Sequence, residues 1–238
     1  NYGSVLPLWR FSTPKSQKKH VTSVIWNPRY KDLFCVGYGS YDFLKQATGL
    51  ICCYTFKNPK HPEYQFQADS GVMCMDFHPH NPALLAVGLY DGTVMVFDIR
   101  IKGNNKPIYA STIRTNKHTD PVWEIRWNKD LTVKNLNFFS IASDGRVTNW
   151  SLMKNKLEAE EVVKLRLVVD ENKGLSDNKK EAFLYGLAGG MSFDFNEYKT
   201  DEFLVGTEEG KIHLCSKAYA GQYLETYDGH YLAVYAVR

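Results

Sequence analysis

The chain has 238 residues, 29 basic and 26 acidic side chains for a net charge of +3, and 44% hydrophobic content, the composition of a soluble globular protein that can bury a sizeable core. So balanced a charge gives no reason to expect nucleic-acid binding, and the longest apolar runs, such as 83–89, fall far short of the roughly 20 residues that cross a bilayer. The chain opens on Asn1 with no basic-then-apolar leader and is expected to come from the interior of a longer protein.

Residues 5–11, Val-Leu-Pro-Leu-Trp-Arg-Phe, read as a short strand, followed by the Lys15, Lys18, Lys19 cluster, either a solvated loop or a small polyanion-binding patch. Four units then share one pattern. The first runs from His20 to Trp26, then 33–37, then 49–54. The second has 71–77, then 84–88, then the turn Asp91-Gly92 leading into 93–98. The third has 122–127, 138–142, the turn Asp144-Gly145 and a strand ending in Trp150-Ser151. The fourth has 190–195, 202–206, the turn Glu209-Gly210 and 211–216. Each holds three short β-rich runs, and Tyr64–Phe66, Ile108–Thr112 and Tyr223–Tyr227 supply a further strand between units. The predicted fold is therefore all-β, a WD40-type β-propeller of four-stranded blades.

The blade cores are expected at about 20–56, 71–99, 118–152 and 190–217, with a fifth blade starting at 230, where His230, Val234 and Val237 align on His118, Val122 and Ile125. The equivalent aromatics Trp26, Phe77, Trp127 and Phe195 lie 51, 50 and 68 residues apart, so insertions are expected. The main one is the charged segment 154–181, read as an extended strand near Val162–Val169 and then a mobile loop around Lys173–Lys180. A ring of four to eight blades has no free edges, so this span is expected to need further repeats and not to be stable alone.

The third unit carries the polar positions of the WD40 pattern, His118, Ser140, Asp144 and Trp150, a structural tetrad expected to form a hydrogen-bonded chain across the blade. No catalytic, cofactor-binding or metal site is expected. His78-Pro-His80 has no third ligand at suitable spacing and reads as a turn, while Gly37-Tyr-Gly39 and Gly186–Gly190 lack the residues that hold phosphate. The five cysteines, Cys35, Cys52, Cys53, Cys74 and Cys215, lie in apolar strands and are expected to be reduced thiols of a cytosolic protein. Asn149-Trp-Ser151 falls inside a strand and reads as a chance glycosylation pattern. The expanded turn 38–48 is unusual, because Tyr38, Tyr41 and Phe43, with Lys45 beside them, occupy a loop that would ordinarily be polar. They read as a satellite core, the commoner case, or as an anchor for a partner.

The strings Leu6–Phe11, Trp26–Phe34, Val36–Phe43, Ser70–Cys74, His118–Trp123, Asn135–Ser140, Ser143–Arg146 and Phe203–Ile212 resemble the WD-repeat region of the axonemal outer-arm dynein intermediate-chain family, over loops as well as repeat residues. The resemblance implies a seven-bladed propeller that acts as a non-catalytic scaffold without a cofactor. Its implied partners are the dynein heavy-chain tail, a second axonemal intermediate chain, light chains bound through an N-terminal region not present here, and microtubules through the complex. No nucleic acid or membrane is implied, and the location is the cytoplasm and cytoskeleton, in the axoneme of the cilium or flagellum. A WD40 adaptor in another ciliary or cytosolic complex is the alternative. Partner contacts are expected at the 38–46 loop and at the turns 57–63 and 102–107.

Overall fold

The computed structural model describes residues 3–101, 105–129, 135–167, 186–219 and 222–238. Among these residues sixteen strands form four antiparallel four-stranded sheets, each made of strands consecutive in sequence. The first blade is β1 (His20–Trp26), β2 (Leu33–Gly39), β3 (Gly49–Thr55) and β4 (Tyr64–Ala68). The second is β5 (Val72–Phe77), β6 (Leu84–Leu89), β7 (Val94–Asp98) and β8 (Tyr109–Ala110). The third is β9 (Val122–Trp127), β10 (Asn137–Ala142), β11 (Arg146–Leu152) and β12 (Leu157–Lys164). The fourth is β13 (Gly190–Phe195), β14 (Glu202–Thr207), β15 (Lys211–Ser216) and β16 (Glu225–Asp228). The β-propeller expectation thus holds, and among the described residues no helix is long and apolar enough to cross a membrane.

Middle strands β2, β3, β6 and β10 are buried at every position, which explains why they read as continuous apolar runs and not as alternating ones. Their two faces meet different neighbours. Ile51 and Phe66 of the first blade pack with Val72, Val87 and Phe97 of the second. Ala86 and Val96 pack with Val122, Trp127 and Trp150 of the third. Ile141 and Val147 pack with Phe193, Phe203 and Val205 of the fourth. On the side of the first blade away from the second, Phe34, Tyr38, Leu50 and Tyr54 form a fourth cluster, covered in part by Phe11 of the N-terminal segment. The Phe11 ring lies 4.9 Å from Phe34 and 5.5 Å from Tyr54. Residues 5–11, expected as a strand, make no sheet pairing.

The charged segment after the third blade also departs from expectation. Its first part is not an insertion, because β12 pairs with β11 from Arg146↔Lys164 to Leu152↔Leu157 as the outer strand of the blade. The run of Glu158, Glu160 and Glu161 concealed it. Leu157, Val162 and Val163 are buried while Glu158, Glu160 and Glu161 face outward, as suits a charged outer strand that resists further pairing. The expected loop around 173–180 lies outside the described residues.

The cysteine expectation is corrected as well. Cys35 and Cys53 stand opposite each other on β2 and β3, with Cα atoms 4.1 Å apart, and are joined by a disulfide. Cys52, Cys74 and Cys215 are free and buried. Pairing depends on the register of two strands across the 38–48 turn, which spacing alone did not reveal, and the cysteines no longer argue for a reducing compartment.

The turn glycines Gly92, Gly145 and Gly210 have φ of +83°, +76° and +85°, the left-handed conformation that an Asp-Gly or Glu-Gly turn requires. Gly88 serves packing: a Cβ there would lie 2.6 Å from Cys74 Sγ and 2.7 Å from Val122 Cγ1 of the next blade. The C-terminal segment seats in the same way on the fourth blade, where a Cβ at Gly206 would lie 2.8 Å from Val234 Cγ1 and Val234 N–H donates to the Thr207 carbonyl at 3.0 Å. Gly88→Ala should lower the stability of the full-length chain by about 1–3 kcal/mol through overpacking. Chemical denaturation measures this against Gly3→Ala, whose surroundings are open and whose effect should be nil.

Candidate functional site

The residues of the expected tetrad converge across the third blade. Trp150 Nε1–H donates to Ser140 Oγ at 2.7 Å, His118 Nε2 lies 2.7 Å from the same hydroxyl, and His118 Nδ1 lies 3.0 Å from Asp144 Oδ2. Arg146 adds two N–H donors to Asp144 Oδ2, at 3.0 and 2.8 Å. His118, Ser140 and Trp150 are fully buried, so each bond satisfies a group that has no water to turn to. Burial alone would raise the Asp144 carboxyl, but His118 and Arg146 overcome it and hold the group at about 2. The arrangement ties the entry of the blade to its second and third strands.

The acidic side chains of the inner strands are engaged with backbone. Asp76 Oδ2 accepts Trp127 N–H at 2.8 Å, and Glu124 Oε2 accepts Phe193 N–H at 2.9 Å, each from the next blade. Burial pushes Asp76 up to about 6. His78 Nδ1 accepts the backbone N–H groups of His80 and Asn81 at 3.1 and 2.9 Å, so this imidazole caps a turn. Among the described residues no three His, Cys, Asp or Glu side chains are placed to share a metal ion.

The surface offers a different kind of site, the loop 40–48 between β2 and β3. Ser40 Oγ accepts Asp42 N–H at 3.0 Å, Asp42 Oδ1 accepts Leu44 N–H at 3.0 Å, and Gln46 Nε2 donates to the carbonyls of Ser40 and Asp42 at 3.1 and 2.9 Å. His20 Nδ1 accepts Tyr41 N–H at 3.2 Å, and Tyr41 O–H reaches the Thr22 carbonyl at 3.3 Å. The polar groups therefore turn inward and stiffen the loop, while the apolar side chains are left outside. Tyr41 is 53% exposed, Phe43 65% and Leu44 95%. Phe43 has one ring neighbour, Tyr90, at 6.1 Å. These side chains do not form a satellite core.

Tyr38 is separated from this group. It is 5% exposed, part of the cluster beneath Phe11, with its hydroxyl 3.3 Å from that of Tyr54. It cannot meet a partner in this conformation, because the strand extends two residues further than the loop pattern suggested. Lys45 is exposed on the loop. Leu44, the most exposed apolar side chain there, was not singled out from sequence, although the run Tyr41–Leu44 holds three large apolar residues around one Asp.

The turn Lys57–Glu63 lies at the opposite end of the strands, where Arg29, Tyr30, Lys57, Glu63, His80 and Arg100 line part of a cavity of ≈ 610 Å³ between the first two blades. Residues 102–104 of the other expected contact turn lie outside the described residues.

This fold, with structural polar networks inside its blades and exposed apolar side chains on its loops, is that of a WD40-type β-propeller. Residues 60–98 match the family described as WD domain, G-beta repeat. The β-propeller domain of Cps50 (Swd1) from Myceliophteria thermophila has the same fold, with a TM-score of 0.63 at 11% identity over 92% of this chain and 59% of that one.

Sequence relatives narrow the class. The chain is 54% identical to the 78 kDa intermediate chain of the flagellar outer-arm dynein of Chlamydomonas reinhardtii, over 99% of this chain and 34% of that one. It is 51% identical to the ciliary dynein intermediate chain 2 of Heliocidaris crassispina and 47% identical to dynein axonemal intermediate chain 1 of Rattus norvegicus, each over 99% of this chain and 33% of the relative. The chain is a homologue of the axonemal dynein intermediate chains and spans about a third of their length.

Two predictions concern the third blade. Ser140→Ala leaves His118 Nε2 and Trp150 Nε1 without partners and should cost about 2–4 kcal/mol in denaturant-induced unfolding of the full-length chain. Asp144 has a folded pKa of about 2, below its ordinary value, so its contribution is present above about pH 4 and lost as pH falls towards 2. Asp144→Asn should remove that acid dependence from the stability profile and lower stability at neutral pH.

Proposed function

We propose that this chain is the propeller region of a non-catalytic scaffold subunit of an axonemal outer-arm dynein. The observation that carries the reading is identity of 47–54% with dynein intermediate chains along 99% of the chain, which takes in the blade-joining loops as well as the repeat residues. In this reading the propeller docks on the tail of a dynein heavy chain and beside a second intermediate chain, so that the motor is assembled and anchored for ciliary beating. Light chains bind a region of the protein outside this chain, and contact with microtubules comes through the complex. The site of action is the axoneme, within the cytoskeleton of the cilium or flagellum, after assembly in the cytoplasm.

The engagement of Asp76 and Glu124 with backbone N–H groups supports a structural over a catalytic use of the inner strands. The seating of Val234 on Gly206, which repeats that of Val122 on Gly88, supports a fifth blade that begins at 230 and a ring of seven completed by the rest of the protein. Exposed Tyr41 and Phe43 on a stiff loop are the contacts we assign to a partner.

The test is a pull-down of the tagged full-length protein from ciliary extract. Dynein heavy chain should co-purify; its absence, with another complex in its place, would favour the adaptor alternative. Tyr41→Ala with Phe43→Ala should lower recovery of the complex several-fold while the melting temperature moves by no more than about 2 °C, as expected for exposed side chains. A large fall in melting temperature with recovery unchanged would contradict the assignment.

A further inference from the structure

Residues 9–13 and 108–112 are one element in two settings. Trp9-Arg-Phe-Ser-Thr13 and Ile108-Tyr-Ala-Ser-Thr112 each run into a single 3-10 turn, Pro14–Ser16 in one and Ile113–Thr115 in the other. The turns are closed alike. Thr13 N–H donates to Ser16 Oγ at 3.2 Å and Ser16 O–H to the Thr13 carbonyl at 2.8 Å. Thr112 N–H donates to Thr115 Oγ1 at 2.8 Å and Thr115 O–H to the Thr112 carbonyl at 3.1 Å. After each turn the chain enters the inner strand of a blade, β1 or β9. In the second blade the element is paired. Tyr109 and Ala110 stand opposite Val96 and Met95, Ser111 N–H donates to the Val94 carbonyl at 2.9 Å, and Ser111 Oγ accepts Val94 N–H at 2.9 Å. Residues 5–11 pair with no strand among the described residues, and Ser12, the counterpart of Ser111, is exposed.

Phe11 already sits where an outer strand touches the next blade. Phe66 of β4 rests on Phe97 of β7, on the third strand of the following blade, with ring centroids 4.9 Å apart. Strand register makes Tyr54 of β3 the counterpart of Phe97, since one pairs with Phe34 and the other with Leu85. The Phe11 ring lies 5.5 Å from Tyr54.

The same side of the first blade lacks its cover. Register sets Val21, Val24 and Trp26 of β1 level with Val72, Met75 and Phe77 of β5 and with Val122, Ile125 and Trp127 of β9. The six residues on β5 and β9 are at most 5% exposed, because the preceding blade lies over them. A Cβ at Gly37 would lie 2.7 Å from Val72, one at Gly88 would lie 2.7 Å from Val122, and the Asp76 carbonyl accepts Trp127 Nε1–H at 3.0 Å. Val21, Val24 and Trp26 are 52%, 56% and 57% exposed.

We propose that this face is covered by a further blade of the same protein, whose first three strands lie C-terminal to residue 238 and whose outer strand is residues 5–11. The proposal rests on the ring of blades proposed above and not on the dynein partners. The occupant must have a small residue on its second strand facing Val21, as Gly37 faces Val72. It must have an inner-strand carbonyl that receives Trp26 Nε1–H, and a third strand whose free edge pairs with residues 5–11. A second copy of this chain cannot supply these, because the corresponding face of its fourth blade, at Gly206, is taken by Val234. Each described blade is tied to the next through the connection from outer to inner strand. A ring has one seam without that covalent link. Dividing a blade between the two ends of the sequence replaces the link with a ladder of backbone hydrogen bonds and leaves no strand edge open.

The experiment uses the purified full-length protein. The photo-crosslinker p-benzoylphenylalanine replaces Trp26, and adducts are mapped by mass spectrometry, with a mixture of heavy-isotope-labelled and unlabelled protein separating intramolecular adducts from those between copies. Amide hydrogen exchange over residues 5–11 is measured on the unaltered protein, so a variant that fails to fold does not decide the matter. The expected results are an intramolecular adduct to a peptide C-terminal to residue 238 and exchange over 5–11 at least about 100-fold slower than in a free peptide of that sequence.

An adduct confined to residues 1–238, to a peptide upstream of residue 5, to a second copy or to another protein overturns the proposal. Exchange over 5–11 at the free-peptide rate overturns it as well. If heavy chain co-purifies normally and either readout fails, the closing blade falls and the dynein reading stands. If both readouts succeed and no dynein subunit co-purifies, the dynein reading falls and the closing blade stands.

Discussion

Blade spacing depends on one recurring contact, in which a side chain of an inner strand bonds to the backbone at the start of the next blade's inner strand. Thr22 Oγ1–H donates to the Val72 carbonyl at 2.6 Å and Cys74 S–H to that of Val122 at 3.3 Å, and Ser192 O–H makes the same kind of bond to the Val234 carbonyl of the C-terminal segment at 2.9 Å. Between the third and fourth blades the polarity is reversed, and the Glu124 carboxylate accepts Phe193 N–H. Such bonds require close approach, which Gly37, Gly88 and Gly206 permit by leaving room for the facing valine. At the reversed interface the small residue has moved to the entering strand, where Gly190 faces Ile141. The sum of the two side chains is conserved by the geometry even where the residue types are not the same. Each bond is buried or partly so, and a donor left unpaired there would cost more than the bond itself contributes.

The tetrad is a second device, confined to the third blade. In the second blade Asp91 turns back on its own turn, accepting Thr93 N–H at 3.0 Å and its hydroxyl at 2.8 Å. In the fourth, Thr207 Oγ1 accepts Lys211 N–H at 3.2 Å, and the buried His213 ring stacks on Tyr223 at 3.8 Å with burial pushing it down to about 4. Blades without the tetrad therefore do not lack turn chemistry; they satisfy the same backbone groups more locally. The cross-blade version adds a constraint on the blade entry, because His118 precedes β9 and its ring is fixed from both sides.

Much of this was legible in the sequence, since a middle strand covered on both faces must be apolar throughout and an Asp-Gly or Glu-Gly turn must adopt positive φ. Those two signals located β2, β6, β10, β14 and the turns that follow three of them. The tetrad was legible for the same reason, as polar residues at fixed positions in an apolar frame have few ways to be satisfied. What composition hid was the outer strand β12, which exposes as many glutamates as it buries apolar residues. Register-dependent facts were also out of reach. The Cys35–Cys53 pairing, the burial of Tyr38 and the meeting of Lys19 with Thr48 each depend on where a long turn ends. In the 38–48 segment residue types suggested a hidden core, but the side chains of Ser40, Asp42 and Gln46 complete the loop by themselves and leave Tyr41, Phe43 and Leu44 in solvent.

Antiparallel connectivity then decides how the surface can be used. In a four-stranded meander the connection between the second and third strands and the entry to the first lie at one end, and the other two connections lie at the opposite end. Loop 40–48 and the lysines before β1 therefore share a face, while Lys57–Glu63 and the ≈ 610 Å³ cavity between the first two blades belong to the other. A single rigid partner cannot cover both without passing round the rim of the disc. On the second face Lys57 is paired with Asp32 and Arg100 with Asp98. The fold therefore presents two separate loop faces, one at each end of the same strands.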